Sequence, residues 1–257
     1  MRDSAHPHGF PSGPARRSRK LVVVVTCASL TVCLAPQAAA ALTIKGCKIK
    51  PHTNCAGKQL DQAHLTRANL AFANLGHAQL IQAYLQSANL TGANVAGAHF
   101  GQAQAKSIDL SGAKATGTSF TQTHLEKANL SKANLTGSEL IQAYLQGANL
   151  KGATMTKVNL TQANMAGASF EGDDLTTADL TQVTLTNANF KDANLSGLEL
   201  YGLYAGSDYE GANLSKAKLG GDFKGANFKG ANFTGATFCE ATIEGVMRNE
   251  GCATTGI

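Results

Sequence analysis

Four cysteines, Cys47, Cys55, Cys239 and Cys252, stand near the two ends of the chain beyond Ala40. Thiols so placed could close disulfides or hold a metal. Structural zinc sites favour close C-x-x-C pairs, and neither Cys47 and Cys55 nor Cys239 and Cys252 stand that close. Disulfides are therefore the expectation, and no metal ligand is assigned. Seven glutamines are the other conspicuous set: Gln62, Gln82, Gln102, Gln122, Gln142, Gln162 and Gln182, one at every twentieth position without a miss. Amides bind by hydrogen bonding and are not acid–base catalysts. Serines and threonines are plentiful, but no Gly-rich elbow of the kind that presents a nucleophile accompanies them. No catalytic residue, enzyme activity or cofactor is expected.

The elements that position these residues follow from a shorter period. From Leu60 to Leu200 every fifth residue is apolar, with Leu at 20 of 29 positions, and the residue two places earlier is Ala at 20 of 29. A helix would smear a file of period five around its surface, since each step turns about 140°. A straight strand would send alternate members of the file to opposite faces. The pattern is consistent if the chain turns about 90° after every fifth residue, so that four repeats close one coil. The glutamine file, with its period of four repeats, independently supports this count, and internal periods of this kind define solenoids.

In the repeat Ala-Asn-Leu-x-x the Leu (Leu70, Leu90, Leu130, Leu150) fills the interior and the Ala (Ala68, Ala88, Ala128, Ala148) points inward beside the corner. The Asn and the two residues after Leu face solvent. Here the chain resembles the pentapeptide-repeat family, whose motif is A-(D/N)-L-x-x. The resemblance implies an all-β fold, a right-handed quadrilateral β-helix of about nine to ten coils, its coils stacked at about 4.8 Å. A rod of that length separates the two cysteine pairs by tens of ångströms, which leaves Cys47–Cys55 and Cys239–Cys252 as the pairing. The tail Phe238-Cys239-x-x-Thr242 … Gly251-Cys252 is similar to that of secreted family members. Phe223, Phe228, Phe233 and Phe238 are one coil's worth of central residues and are expected to form a terminal core layer. The frame loses one residue after Leu200 and one after Leu219, and each loss must be absorbed by a bulge or a reshaped corner.

The segment before Ala41 reads as an address. Arg16, Arg17, Arg19 and Lys20 precede an apolar run, Leu21 to Ala35, then Pro36 and the small residues Ala38, Ala39 and Ala40. This is the pattern of a secretory signal peptide cut near Ala40; the run is short for a membrane span. The expected organisation is a signal peptide at 1–40, an N-terminal cap with Cys47–Cys55 at 41–57, the repeat region at 58–245 and a C-terminal cap at 246–257. Localisation is expected to be secreted or at the cell envelope, without stable membrane insertion after cleavage. Residues 41–257 hold 17 basic and 16 acidic side chains, a net charge of +1, so the basicity of the full chain belongs to the address and no nucleic-acid partner is expected. Some pentapeptide-repeat proteins mimic DNA and bind gyrase. That alternative requires a strongly negative surface and a cytoplasmic location.

One side of the rod differs from the other three. Its outward columns hold the glutamine file, the series His64, Tyr84, Gln104, His124, Tyr144, and the pair Ile81 and Ile141; residues 80–86 and 140–146 are identical, Leu-Ile-Gln-Ala-Tyr-Leu-Gln. Exposed aromatic and aliphatic groups on a flat face point to a contact surface, and an unknown protein or cell-envelope component is the expected partner. His64 and His124 lie three coils apart, about 14 Å, too far for a shared metal or a proton relay. Asp173 falls on an inward position, where backbone amides are the expected partners. The distinctive face and the regular rod are expected to end together after Gln182.

Overall fold

The computed structural model describes residues 42–243 and 246–250. The chain divides into two units, Met1–Ala39 and Ala40–Ile257. The first, and with it the expected signal segment, lies outside the described residues.

The second unit is a four-sided β-solenoid whose coils are built by one repeated local event. Leu60 begins a turn that Ala63 closes by donating its N–H to the Leu60 carbonyl at 3.0 Å, and Leu65 and Ala68 repeat it at 2.9 Å. The second central residue of nearly every turn has positive φ, near 57° at Gln62 and Arg67, as a type II turn requires; Thr177 is an exception. Between turns the short extended segments pair in parallel with the coil above and below. Leu65 donates to the Tyr84 carbonyl at 2.7 Å and Tyr84 donates to the Ala63 carbonyl at 2.9 Å. Bridges from Asn54↔Asn74 to Asp174↔Asn194 run along the rod, each joining a residue to the twentieth after it. The glutamine spacing is thus one residue per coil.

The interior follows from the same register. The Leu file is fully buried, and the Ala file packs beside it. Among the polar intruders on the Ala file are Thr118, Thr123, Ser138 and Ser207. Their hydroxyls donate to buried carbonyls of the preceding coil, Val95, Phe100, Ala115 and Leu185, at 2.6–2.8 Å. A buried hydroxyl so bonded costs little. Aromatic rings stack along the bore, Phe100 on Phe120 at 5.0 Å and Phe170 on Phe190 and Phe190 on Tyr209 at 5.1 Å each.

At the front, β1 (Thr43–Ile44) and β2 (Cys47–Lys48) form an antiparallel hairpin. Ile44 and Ile49 pack on the first core layer, and a Cys47–Cys55 disulfide, Cα–Cα 5.3 Å, ties the hairpin to the first coil. This covers apolar surface that an open solenoid end would expose.

At the back, both frame losses fall on the corner that carries the glutamines. The two-residue turn is replaced there by continuous strands, β3 (Glu199–Leu203), β4 (Lys218–Phe223) and β5 (Thr237–Ile243), paired in parallel, with β6 (Val246–Glu250) antiparallel at the edge. Thr184↔Leu203 and Glu199↔Lys218 each span one position fewer than the regular bridges, and a register shift between Leu219 and Gly221 restores the regular step at Gly221↔Ala241. Each lost residue removes a turn and straightens the corner. Phe223 is buried, and Phe228, Phe233 and Phe238 pack partly buried against the core, with neighbouring ring centroids 5.3–5.9 Å apart. Cys239 is disulfide-bonded; Cys252, its expected partner, lies outside the described residues.

Candidate contact face

The glutamines occupy the second central residue of the turn on one corner, with φ between 55° and 59° in all seven. A non-glycine residue in the left-handed region costs about 1–2 kcal/mol, and glycine fills many of the other turn positions. The side chains offset part of that cost. Each Nε2 donates to the next Oε1, from Gln62 to Gln82 at 3.2 Å through to Gln162 to Gln182 at 2.8 Å, six bonds in a continuous ladder.

Two residues beyond each glutamine, across a floor of buried residues such as Ala83, Ala103 and Ala143, stands a second column. Parallel bridges link His64, Tyr84, Gln104, His124, Tyr144, Asn164, Thr184 and Leu203 in one series. His64 stacks on Tyr84 at 4.7 Å with planes 1° apart, and His124 on Tyr144 at 4.5 Å and 8°. The His124 Nδ1 also lies 3.1 Å from the Glu126 carboxylate. Ladder and column enclose a groove of about 690 Å³ between Gln62 and Tyr144, followed by a second of about 370 Å³ bounded by Gln122, Gln162 and Asn164. Neither is lined by Lys, Arg, Asp or Glu among the described residues. The expected face is thus one continuous feature, a ridge, a shallow groove and a second ridge.

The face also extends further than its glutamines. Among the described residues seven large apolar side chains are exposed, and five sit here: Ile81 (41%), Tyr84 (40%), Tyr144 (40%), Tyr201 (45%) and Leu203 (56%). Ile141 is partly covered. The expectation that the face ends with the regular rod after Gln182 is incorrect. The frame loss puts Tyr201 on the straightened corner and Leu203 into the aromatic column, where it bridges Thr184. The signal was available in the shortened step from Leu200 to Tyr204, which turns a corner into strand.

Among the described residues no group of three or more His, Cys, Asp or Glu could hold a metal ion, and no helix is long and apolar enough to cross a membrane. The most perturbed carboxyl lies away from this face. Asp173 is buried on the inward file, its Oδ1 accepts the Gly152 N–H at 2.7 Å, and burial raises its pKa from 3.8 to about 7 against the lowering effect of bonds from the Gly152 and Ala153 amides. It has no acid–base partner in reach, among the described residues, to make a catalytic pair.

A solenoid of short turns, four to a coil, defines a class, the quadrilateral β-helix. The family model for pentapeptide repeats matches 8 copies over residues 52–102, 107–140, 133–172, 174–203 and 205–245. The chain belongs to the pentapeptide-repeat family, and its rod is the right-handed quadrilateral β-helix of that family. No curated protein gives a significant sequence match. Similar solved structures include HetL, a pentapeptide repeat protein involved in heterocyst differentiation regulation from Nostoc sp. strain PCC 7120, with 26% identity over 77% of this chain and 92% of that one and a TM-score of 0.30. Full-length QnrB1, a plasmid-mediated fluoroquinolone resistance protein, is 16% identical over 72% of this chain and 91% of its own, with a TM-score of 0.31. A pentapeptide repeat protein from the Arabidopsis thaliana thylakoid lumen is 29% identical over 44% of this chain and 65% of its own, with a TM-score of 0.17.

Proposed function

We propose that the chain is an exported, non-enzymatic solenoid that works as a protein-binding module at the cell envelope, through the glutamine face. The observation that carries this reading is the gathering of Ile81, Tyr84, Tyr144, Tyr201 and Leu203 on one side of the rod, where five of the seven exposed large apolar side chains among the described residues lie. Isolated exposed apolar residues are ordinary, but a row of them on a flat surface is a site of contact. Rigid coils hold the row in place, so binding orders little that was mobile. Export is supported by the basic and apolar pattern of residues 16–40 and by cysteines engaged in disulfides. A DNA-mimic role draws no support from a net charge of +1 over residues 41–257.

Two measurements test this. Fractionation of cells expressing the full chain should recover it outside the cytoplasm with the segment 1–40 removed; cytosolic protein of full length would overturn export. Cross-linking in envelope extract, wild type against the Tyr84→Ala/Tyr144→Ala double variant, should lose its partner bands in the variant. Unchanged bands would remove this face from the function.

A further inference from the structure

We propose that the glutamine face is a homotypic interface, on which a second copy of the chain packs to form a weak symmetric dimer. This rests on the reading of the face as a contact surface and names its partner. Period is the first reason. The ladder presents one side chain per coil over the six coil steps from Gln62 to Gln182, and the aromatic column over the seven from His64 to Leu203, every 4.8 Å or so. A partner must share that repeat to stay in register. An α-helix repeats about every 5.4 Å and drifts half a step in about four turns, and a strand laid along the axis repeats about every 6.6–6.8 Å. A second copy matches at every coil.

Ring orientation is the second reason. Tyr84 and Tyr144 lie flat on His64 and His124, so each ring has a face covered and turns its edge outward. Sugars and nucleobases bind to open ring faces. Edge-on rings and amides standing one per coil form ridges instead, and across a two-fold axis perpendicular to the rod the ladder of one copy meets the ladder of the other. The third reason is charge. The groove is lined by no acidic or basic residue other than His124 among the described residues, so two copies meet without like-charge repulsion. After its ladder bonds each glutamine in the middle of the file keeps one N–H and one oxygen lone pair. The face therefore offers donors and acceptors in equal number, as an isologous contact needs. Seven coil steps by one five-residue side, about 34 Å by about 16 Å, would bury roughly 1,100 Å² in total, near the lower limit of specific interfaces and in keeping with a weak dimer.

Gln122 is the midpoint of the file, where a two-fold axis brings like residue against like. The test is sedimentation equilibrium of the product purified from expression of the full chain, between about 5 µM and about 500 µM, for wild type, Gln122→Lys, Gln122→Glu and an equimolar mixture of the two variants. Lysine already occupies equivalent turn positions at Lys127, Lys132 and Lys157, with φ of 55–58°, and circular dichroism melts confirm that the variants fold. Wild type is expected to dimerise with a Kd of about 10–500 µM. Each variant alone should weaken the dimer at least tenfold, and the mixture should restore it to within threefold of wild type. A wild type that stays monomeric at about 500 µM, a dimer indifferent to both variants, or a mixture that stays monomeric would each overturn the proposal. A monomer that still captures an envelope protein through Tyr84 and Tyr144 would overturn the homotypic partner alone and leave the contact-face reading standing.

Discussion

Asp173 holds the amide of Gly152, one coil below, at 2.7 Å. In the regular coils the amide at this turn position bonds a carbonyl of the next coil, as Gly147 bonds Ala166 at 2.9 Å; the next turn, at Lys157, bonds the Thr177 hydroxyl at 3.0 Å instead. The parallel bridges on the adjoining face pass from Asn134↔Thr154 to Asp174↔Asn194 without a 154–174 pair. One corner carboxylate in place of alanine thus takes over a backbone donor and opens the seam between two coils. The second oxygen, Oδ2, has no partner among the described residues.

This makes the rod's stability depend on pH in a stated direction. The Asp173 pKa is raised from 3.8 to about 7 in the folded chain, burial being the main cause, so the rod binds this proton more tightly than the unfolded chain does. The protonated form is the stabilised one. For this group, stability is greatest below about pH 4, falls as the pH rises from about 4 to about 7, and is level above that, a total of roughly 2–4 kcal/mol. Asp173→Ala should raise the melting temperature by about 5–10 °C at pH 8 and by much less at pH 4.5. Equal gains at both pH values would show that packing, and not ionisation, is responsible.

The register of the interior was legible in the sequence because an apolar file of period five admits neither a helix nor a flat strand. The special face was legible because the glutamines repeat at the length of a coil. Tyr201 and Leu203 were only half legible: the shortened step from Leu200 to Tyr204 marks the corner that yields, but not that it straightens into strand and turns these two side chains outward. The seam at Asp173 was half legible. Its inward position follows from the frame and its bonds to amides from chemistry. Which coil contact it would displace depends on backbone positions that no pattern of residue types records.

Tyr204 and Tyr209 are fully buried in an otherwise apolar file, and neither hydroxyl has a hydrogen-bond partner among the described residues. Burial raises both phenol pKa values, and Tyr204 adds to the rise at Tyr209. Ionised phenolate is thus favoured only in the unfolded chain, and stability contributed by these two residues is lost as the pH climbs past about 10. Ultraviolet titration should show two tyrosines that ionise only as the rod unfolds, and Tyr204→Phe/Tyr209→Phe should abolish that late step. Urea melts of the double variant at pH 7 should show unchanged or improved stability, by up to about 2 kcal/mol, since desolvated hydroxyls are removed without loss of a bond. A loss of more than about 1 kcal/mol would mean that the hydroxyls are satisfied in solution.

The glutamine ladder separates backbone strain from side-chain bonding. Gln122 sits at φ 55° and makes two ladder bonds, to Gln102 at 3.0 Å and Gln142 at 2.8 Å. Gln122→Ala keeps the strained backbone and loses both bonds, so it should destabilise the rod by about 1–2 kcal/mol. Gln122→Gly loses the same bonds but relieves the left-handed strain, so it should fall within about 0.5 kcal/mol of wild type. Chemical denaturation of the two variants checks the difference. Equal losses would mean that the ladder, not the turn, determines the stability of this corner.

Gly221 closes the reshaped corner where β4 meets β3. Its φ is +99°, and a Cβ built there would lie 2.3 Å from the Gly202 carbonyl oxygen. Neither coil can withdraw, because Gly202 and Gly221 are paired within the same sheet. Gly112 is the natural comparison, a turn glycine with φ +62° whose added Cβ would meet nothing within 4 Å. Gly112→Ala should cost only the left-handed strain, about 1–2 kcal/mol. Gly221→Ala adds a backbone clash to that strain and should cost at least about 3 kcal/mol. The damage should also be local. Hydrogen exchange should accelerate in β3, β4 and β5 while coils near Gln82 keep their protection, because each coil of a solenoid is held by its neighbours. If the two variants proved equally stable, or if exchange rose uniformly along the rod, the sheet at this corner would not be the tight contact between Gly202 and Gly221 described above.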